Sequence, residues 1–290
     1  MVASAVAVAA AAVHLSFQAA RTVVFPARNP SPETPADHGM PFERVEFRSS
    51  DGLNLKGWFI PGAGRAAVVL VHGHSASKDG MLGHAGYLNR AGYSLLLFDF
   101  RASGESDGAF SSLGYYEWQD IVGAAGYLKS RPEVDVARIG LLGASMGAAS
   151  SLMLGKEAHQ FAAIVADSSF ASGDSLVRRF DRWFKLPTWP FSIAVPLAIQ
   201  HYIGLTPSEV APLRRVAQIA PTPLFLIHGE LDSGIPVDDA YQLYRAAGDP
   251  KEFWVVSGSA HAGGHGAEKQ EYEERVLGFF QRYLGASGVR

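Results

Sequence analysis

Arg138-Ile139-Gly140-Leu141-Leu142-Gly143-Ala144-Ser145-Met146-Gly147-Ala148-Ala149-Ser150-Ser151 decides how the rest of the chain is read. A short apolar run ends in Gly143-Ala144-Ser145-Met146-Gly147, and small residues follow at once. A G-x-S-x-G pentapeptide is weak by itself, because glycine and serine are common. Its context gives it meaning. A serine on a sharp strand-to-helix turn has unfavourable backbone geometry, and only small neighbours let the strand and helix approach. Such a turn lifts Ser145 Oγ clear of the sheet at its C-terminal edge, over the first amides of the next helix. The competing reading is a glycine-rich turn with an incidental serine.

Working outward, the chain from Pro41 alternates regularly. Phe42–Arg48 and Leu53–Ile60, joined through Ser49-Ser50-Asp51-Gly52, read as an antiparallel hairpin. Ala66–Val71, Ser94–Phe98, Arg138–Leu142, Ala162–Ala166, Pro223–Ile227 and Phe253–Val256 are short and apolar throughout. Strands of a parallel sheet covered on both faces look like this. Between them lie helical stripes, such as Trp118, Ile121, Val122, Ala125 and Leu128, or Tyr272, Val276, Phe279, Phe280 and Tyr283. The fold class is therefore α/β, a doubly wound, mostly parallel sheet. Residues 168–215 break the alternation, with helical patterns and no strand, and read as a helical lid inserted above the sheet.

At 290 residues and 48% hydrophobic, the chain can bury a substantial core, and disorder is excluded. A net charge of -3 without a basic run excludes a nucleic-acid partner. The absence of cysteine excludes a disulfide framework, thiolate zinc sites and a cysteine nucleophile. The first twenty residues are different material: nine are Ala, four are Val, and the first charge is Arg21. A signal peptide would want a basic start, which is missing, and a soluble Ala-rich helix is the plainer alternative. Length and the charge-free run fit a single N-terminal membrane anchor over residues 1–21 best, on an unassigned side of the membrane. Pro26, Pro30, Pro32, Pro35 and Pro41 then mark residues 22–40 as an extended linker before a domain at 41–290.

A serine hydroxyl needs a base, and the base needs an orienting carboxylate. On this architecture the order along the chain is Ser, acid, His. Asp232 lies in the loop after Pro223–Ile227, and His261 in the loop after Phe253–Val256. Both loops leave C-terminal strand ends, where ligands bind in open α/β sheets. Rivals remain: Asp167 or Glu230 for the acid, and His265 for the base, while His228 reads as a buried structural histidine. The oxyanion of a tetrahedral intermediate needs amide donors. These are expected from Met146 and from His74 in Val71-His72-Gly73-His74-Ser75, with His72 pinning that loop. Asp99 and Arg101 are expected to hold their own turn.

Together, the His72-Gly73 loop, Asp99–Ser106, Gly143–Gly147, Asp232 and His261 resemble the α/β-hydrolase fold superfamily from about Pro41 to Leu284. The likeness is to its lipase-like and S33 aminopeptidase-like branch, near membrane-anchored members. It implies Ser145 as nucleophile, His261 as base and Asp232 as acid, acting on a small-molecule ester or related acyl substrate without metal or organic cofactor. Thioesters and peptides are alternative substrates, and an idle binding scaffold is the non-enzymatic alternative. Ala102 stands where relatives usually carry glycine. In the insertion, Phe180, Trp183 and Phe184 either pack on the core or roof an acyl pocket, with Trp189 and Phe191 extending that roof.

Overall fold

The apolar runs on either side of Ser145 form the middle of an eight-stranded sheet, ordered β1-β2-β4-β3-β5-β6-β7-β8. A computed structural model describes residues 2–28, 33–179 and 188–285. β1 (Glu43–Arg48) and β2 (Asn54–Ile60) are the antiparallel hairpin, and β2 continues antiparallel onto β4 (Ser94–Phe98). From β4 onward the sheet is parallel, through β3 (Ala67–Val71), β5 (Ile139–Ala144), β6 (Ala163–Asp167), β7 (Leu224–Gly229) and β8 (Lys251–Val256). The expected α/β class and doubly wound sheet are what the chain adopts.

Two-residue periodicity sorts the strand side chains between two cores. Val69, Leu141, Ile164 and Leu226 pack with α3 (Glu117–Lys129), α4 (Met146–Met153) and α8 (Val237–Ala246). Val68, Leu70, Leu142, Val165 and Phe225 face the other way, onto α2 (Leu82–Arg90) and α10 (Lys269–Leu284). α4 follows β5 with one intervening residue, Ser145. The glycines make that junction possible. A Cβ on Gly143 would meet the Gly147 carbonyl carbon at 2.5 Å, and one on Gly147 would meet the Val71 carbonyl oxygen at 2.4 Å. Both obstacles are backbone and cannot swing aside. Gly147→Ala is therefore expected to lower the stability read from urea unfolding by about 2–3 kcal/mol, through forced separation of α4 from β3.

The N-terminus overturns an expectation. α1 runs Val2–Val24, and among the described residues no helix is long and apolar enough to cross a membrane. The membrane anchor, the membrane location and the membrane association read from residues 1–21 are corrected accordingly. The physical reason is that the helix is part of the fold. Ala12, Ser16, Ala19, Ala20, Val23 and Val24 are buried, and α1 lies along α6 (Thr188–Ile203). Alanine is abundant there because small side chains let two helices approach closely. Past the helix, Ser111 N–H donates to the Val24 carbonyl (2.8 Å), and Arg28 donates to the carbonyls of Ser106 (2.7 Å) and Gly108.

The segment 168–215 carries α5 (Gly173–Val177), α6 and α7 (Pro212–Arg215), with no strand among its described residues. Phe180, Trp183 and Phe184 lie outside the described residues. Of the two aromatics expected to extend their roof, Phe191 is buried in the core and Trp189 is 75% exposed. The one-turn helix α9 (Gly264–Ala267) and the 16-residue α10 follow β8.

Candidate active site

Ser145 occupies the turn between β5 and α4 at φ 54, ψ −116, a left-handed conformation that serine adopts only where its surroundings enforce it. Its amide donates to the Asp167 carbonyl (2.8 Å), tying the turn to the end of β6. From this perch Ser145 Oγ meets His261 Nε2 at 2.8 Å. His261 Nδ1 meets Asp232 Oδ2 at 2.6 Å. Asp232 is buried, and its second oxygen accepts the amides of Gly234 (3.0 Å) and Ile235 (2.7 Å). One carboxylate oxygen is thus spent on its own loop and the other on the imidazole. With Nδ1 donating to a carboxylate, Nε2 is left as the acceptor for the serine proton.

The rivals have other work. Asp167 accepts from Tyr272 Oη (2.8 Å) and Ser168 Oγ (2.8 Å), and burial raises its carboxyl above the usual carboxylate range. Glu230 accepts from Ser257 Oγ and the Gly258 amide, bracing the loop that leads to His261. His265 pairs with Glu273 (3.0 Å), and His228 donates to the Ile235 carbonyl (2.6 Å). His72 donates from Nδ1 to the Gly73 carbonyl (2.7 Å) and accepts the Phe100 amide at Nε2 (3.1 Å), which fixes its loop. Gly73 comes so close that a Cβ on it would sit 3.3 Å from Ser145 Cβ. The amide of Met146 opens α4 and has no intrahelical acceptor.

The next turn holds itself together. Asp99 accepts from Lys78 Nζ (2.6 Å), the Lys78 amide and the Glu105 amide, while Arg101 is paired with Asp120 (2.6 Å) and Asp51 (2.9 Å). Ala102 sits at φ 58, in the left-handed region that favours glycine.

Among the described residues, two cavities open onto Ser145. One, about 280 Å³, is walled by Val23, Leu113, Phe170, Leu176 and Ile235 beside Met146 and His74. None of its described lining residues is an acid, a lysine or an arginine. The other, about 270 Å³, is more polar and is lined by His261, Ala262, His72 and His84. Leu113, Phe170, Leu176 and Ile235 come from three separated segments, so no spacing rule identifies them. Thr22 and Val23 fall at the start of the stretch read as linker and form the last turn of a helix whose first part is read as an anchor, although Ala12, Ser16, Ala19 and Val23 recur every three or four residues. That spacing is a packing face.

Burial pushes three histidines around the site toward neutrality: His72 and His74 are lowered, and His84 is pushed down to about 3 with help from His265. Their folded values lie below the ordinary value near 6.5, so the unfolded chain takes up protons first as pH falls. Stability from these groups is present above pH ~6.5 and is lost on acidification, with a slope that approaches ~1.4 kcal/mol per pH unit for His84. Asp167 and Asp120, both raised by burial and the latter to about 7, act in the opposite sense but are two groups against three. Urea midpoints are expected to be flat above pH 7 and to fall from pH 6.5 to 5. His84→Phe should flatten that fall.

Residues 83–287 match the prolyl oligopeptidase family, where the motifs had pointed to an S33-like branch. A solved Pyrococcus furiosus esterase, Pf2001, superposes with a TM-score of 0.78 at 29% identity, covering 91% of this chain and 99% of that one. An uncharacterized Mycobacterium tuberculosis protein, Rv2307c, is 31% identical over 84% of this chain and 80% of its own length. The polyketide transferase ATR5 of Stachybotrys chlorohalonatus is 27% identical over 83% of this chain and 97% of its own length. A parallel sheet of this order, a strained serine where strand meets helix, and a family match across most of the sheet and its helices lead to one conclusion. The chain belongs to the prolyl oligopeptidase family and is a serine hydrolase of the α/β-hydrolase fold.

Proposed function

We propose that this hydrolase cleaves carboxylic esters through an acyl-enzyme on Ser145, with His261 as base and Asp232 as the acid that orients it. The observation that carries the reading is the unbroken hydrogen-bond chain from Ser145 Oγ through His261 to buried Asp232, beside an uncharged apolar cavity. His261 Nε2 takes the Ser145 proton as Oγ adds to the ester carbonyl. The oxyanion is received by the backbone N–H groups of Met146 and His74. The protonated imidazole, held by Asp232, then gives its proton to the leaving alkoxide, and the acyl group stays on Ser145. Water, deprotonated by the same Nε2, repeats the sequence and releases the acid. Phe170 and Leu176 bring the start of the 168–215 insertion to the cavity wall, which supports its reading as a cap over the site.

Ester chemistry is favoured over peptide cleavage because none of the described cavity residues carries a charge that could hold a peptide terminus. Acyl transfer to an alcohol is a second reading, supported by the likeness to a polyketide transferase; the same acyl-enzyme would serve it. A fluorophosphonate probe should label Ser145, and p-nitrophenyl esters should turn over far faster than aminoacyl amides. Labelling that survives Ser145→Ala, or faster turnover of the amides, would overturn the ester reading. Product analysis with added alcohol separates transfer from hydrolysis.

A further inference from the structure

The two cavities at Ser145 are not equivalent, because only one touches the base. A leaving alkoxide must receive its proton from His261 Nε2, so it departs on the side that His261 lines. That is the polar cavity with Ala262, His72 and His84. The acyl portion then lies in the apolar cavity, which meets Ser145 and Met146 but not His261. Its wall includes Thr22 and Val23, from the last turn of α1. This helix lies outside residues 83–287, the stretch that the family shares.

We infer that α1 is a specificity element of this enzyme, its last turn closing the acyl cavity and limiting the apolar acyl group that Ser145 accepts. The assignment rests on the ester reading above and adds which half of the substrate the helix reads. About 280 Å³ is close to twice the ~150 Å³ cavity that holds one benzene, which suits a medium-length alkyl or arylalkyl acyl group on the order of eight to ten carbons.

The helix is also clasped to the loop beside the nucleophile. His74 Nε2–H donates to the Val23 carbonyl (2.7 Å), and Ser75 Oγ–H donates to His74 Nδ1 (2.9 Å). Both bonds need the same neutral tautomer, and burial of the ring favours it. The carbonyl that His74 caps is one of the last four of α1, which lack an intrahelical donor. With the Ser111 amide on the adjacent Val24 carbonyl, the end of the helix is fixed over the cavity from two sides.

The test uses the full chain and p-nitrophenyl esters of acetate, octanoate and dodecanoate. Thr22→Trp, at an exposed position on the rim, should lower the octanoate-to-acetate ratio of kcat/KM by about tenfold or more. Val23→Ala enlarges the wall and should raise the dodecanoate-to-octanoate ratio by about fivefold. Varying the alcohol of an acetate ester series should leave both variants with the wild-type alcohol preference. Ratios that move less than twofold in both variants overturn the inference. A change in alcohol preference in place of acyl preference also overturns it, since the two cavities would then be exchanged. Failure of the ester reading looks different: the wild type itself would lack Ser145-dependent labelling and hydrolyse none of the esters.

Discussion

Ser145→Ala is expected to reduce kcat/KM on a p-nitrophenyl ester by a factor on the order of 10⁵–10⁶, the loss seen when a nucleophile is taken from a unit whose members act together. Without Oγ no acyl-enzyme forms, and fluorophosphonate labelling disappears with it. What survives is the contribution of the oxyanion amides and of binding, roughly 10³-fold over water. The fold should survive. Ser145 Oγ has His261 as its hydrogen-bond partner, and the backbone amide that ties the turn to Asp167 is untouched. Alanine meets the same left-handed φ as serine, so the melting temperature should stay within a few degrees. Near-normal turnover by Ser145→Ala would end the mechanism, and a collapse of stability would show that the turn depends on the hydroxyl in a way the structure does not suggest.

The parts of the molecule that depend on local pattern are legible in the chain. Ser94–Phe98 is read from the sequence with both ends correct, and Ala66–Val71 and Ala162–Ala166 each differ from the observed strand by one residue at one or both ends. Apolar runs covered on both faces announce themselves. The errors at β5 and β7 are of one kind: the strands extend through Gly143-Ala144 and His228-Gly229, residues that read as turn. Sheet pairing carries them past their local preference. The serine turn is legible because its glycines are demanded by backbone contacts at 2.4 and 2.5 Å, a constraint strong enough to leave a motif.

The N-terminal helix is not legible in the same way. Its charge-free alanine and valine run satisfies the length of a membrane span, and the chain beyond it gives no local sign that α6, more than 160 residues away, will cover it. What decides the matter is the pattern of buried positions, Ala12, Ser16, Ala19 and Val23, including a serine whose hydroxyl donates to the Ala12 carbonyl (2.8 Å). A small-residue stripe with an internally satisfied serine is what a closely packed helix pair requires. The acyl wall follows from that docking, so a misread helix conceals the substrate cavity as well.

Asp232→Asn should cost on the order of 10⁴ in kcat, by analogy with triads in which the same change was made. The geometry explains why the amide cannot adapt. Asp232 Oδ1 accepts the Gly234 and Ile235 amides, so the carbonyl oxygen of an asparagine is required on that side. Its NH₂ group is then forced to face His261 Nδ1, where the carboxylate oxygen had been, 2.6 Å away. A donor there selects the imidazole tautomer with its proton on Nε2. That nitrogen meets Ser145 Oγ at 2.8 Å and, once protonated, can no longer take the serine proton. The loss should therefore fall on kcat with little change in KM. It should also be partly relieved at high pH, where serine can lose its proton to hydroxide. Asp167→Asn supplies the contrast, since that carboxyl binds Tyr272 and Ser168 and has no hydrogen bond to His261. Its effect should be smaller by at least about a hundredfold in kcat and should appear mainly as lost stability, because a buried hydrogen-bond partner is mismatched. If instead Asp232→Asn keeps activity within tenfold of wild type while Asp167→Asn loses it, the acid of this enzyme is Asp167, and the hydrogen bond at 2.6 Å is structural.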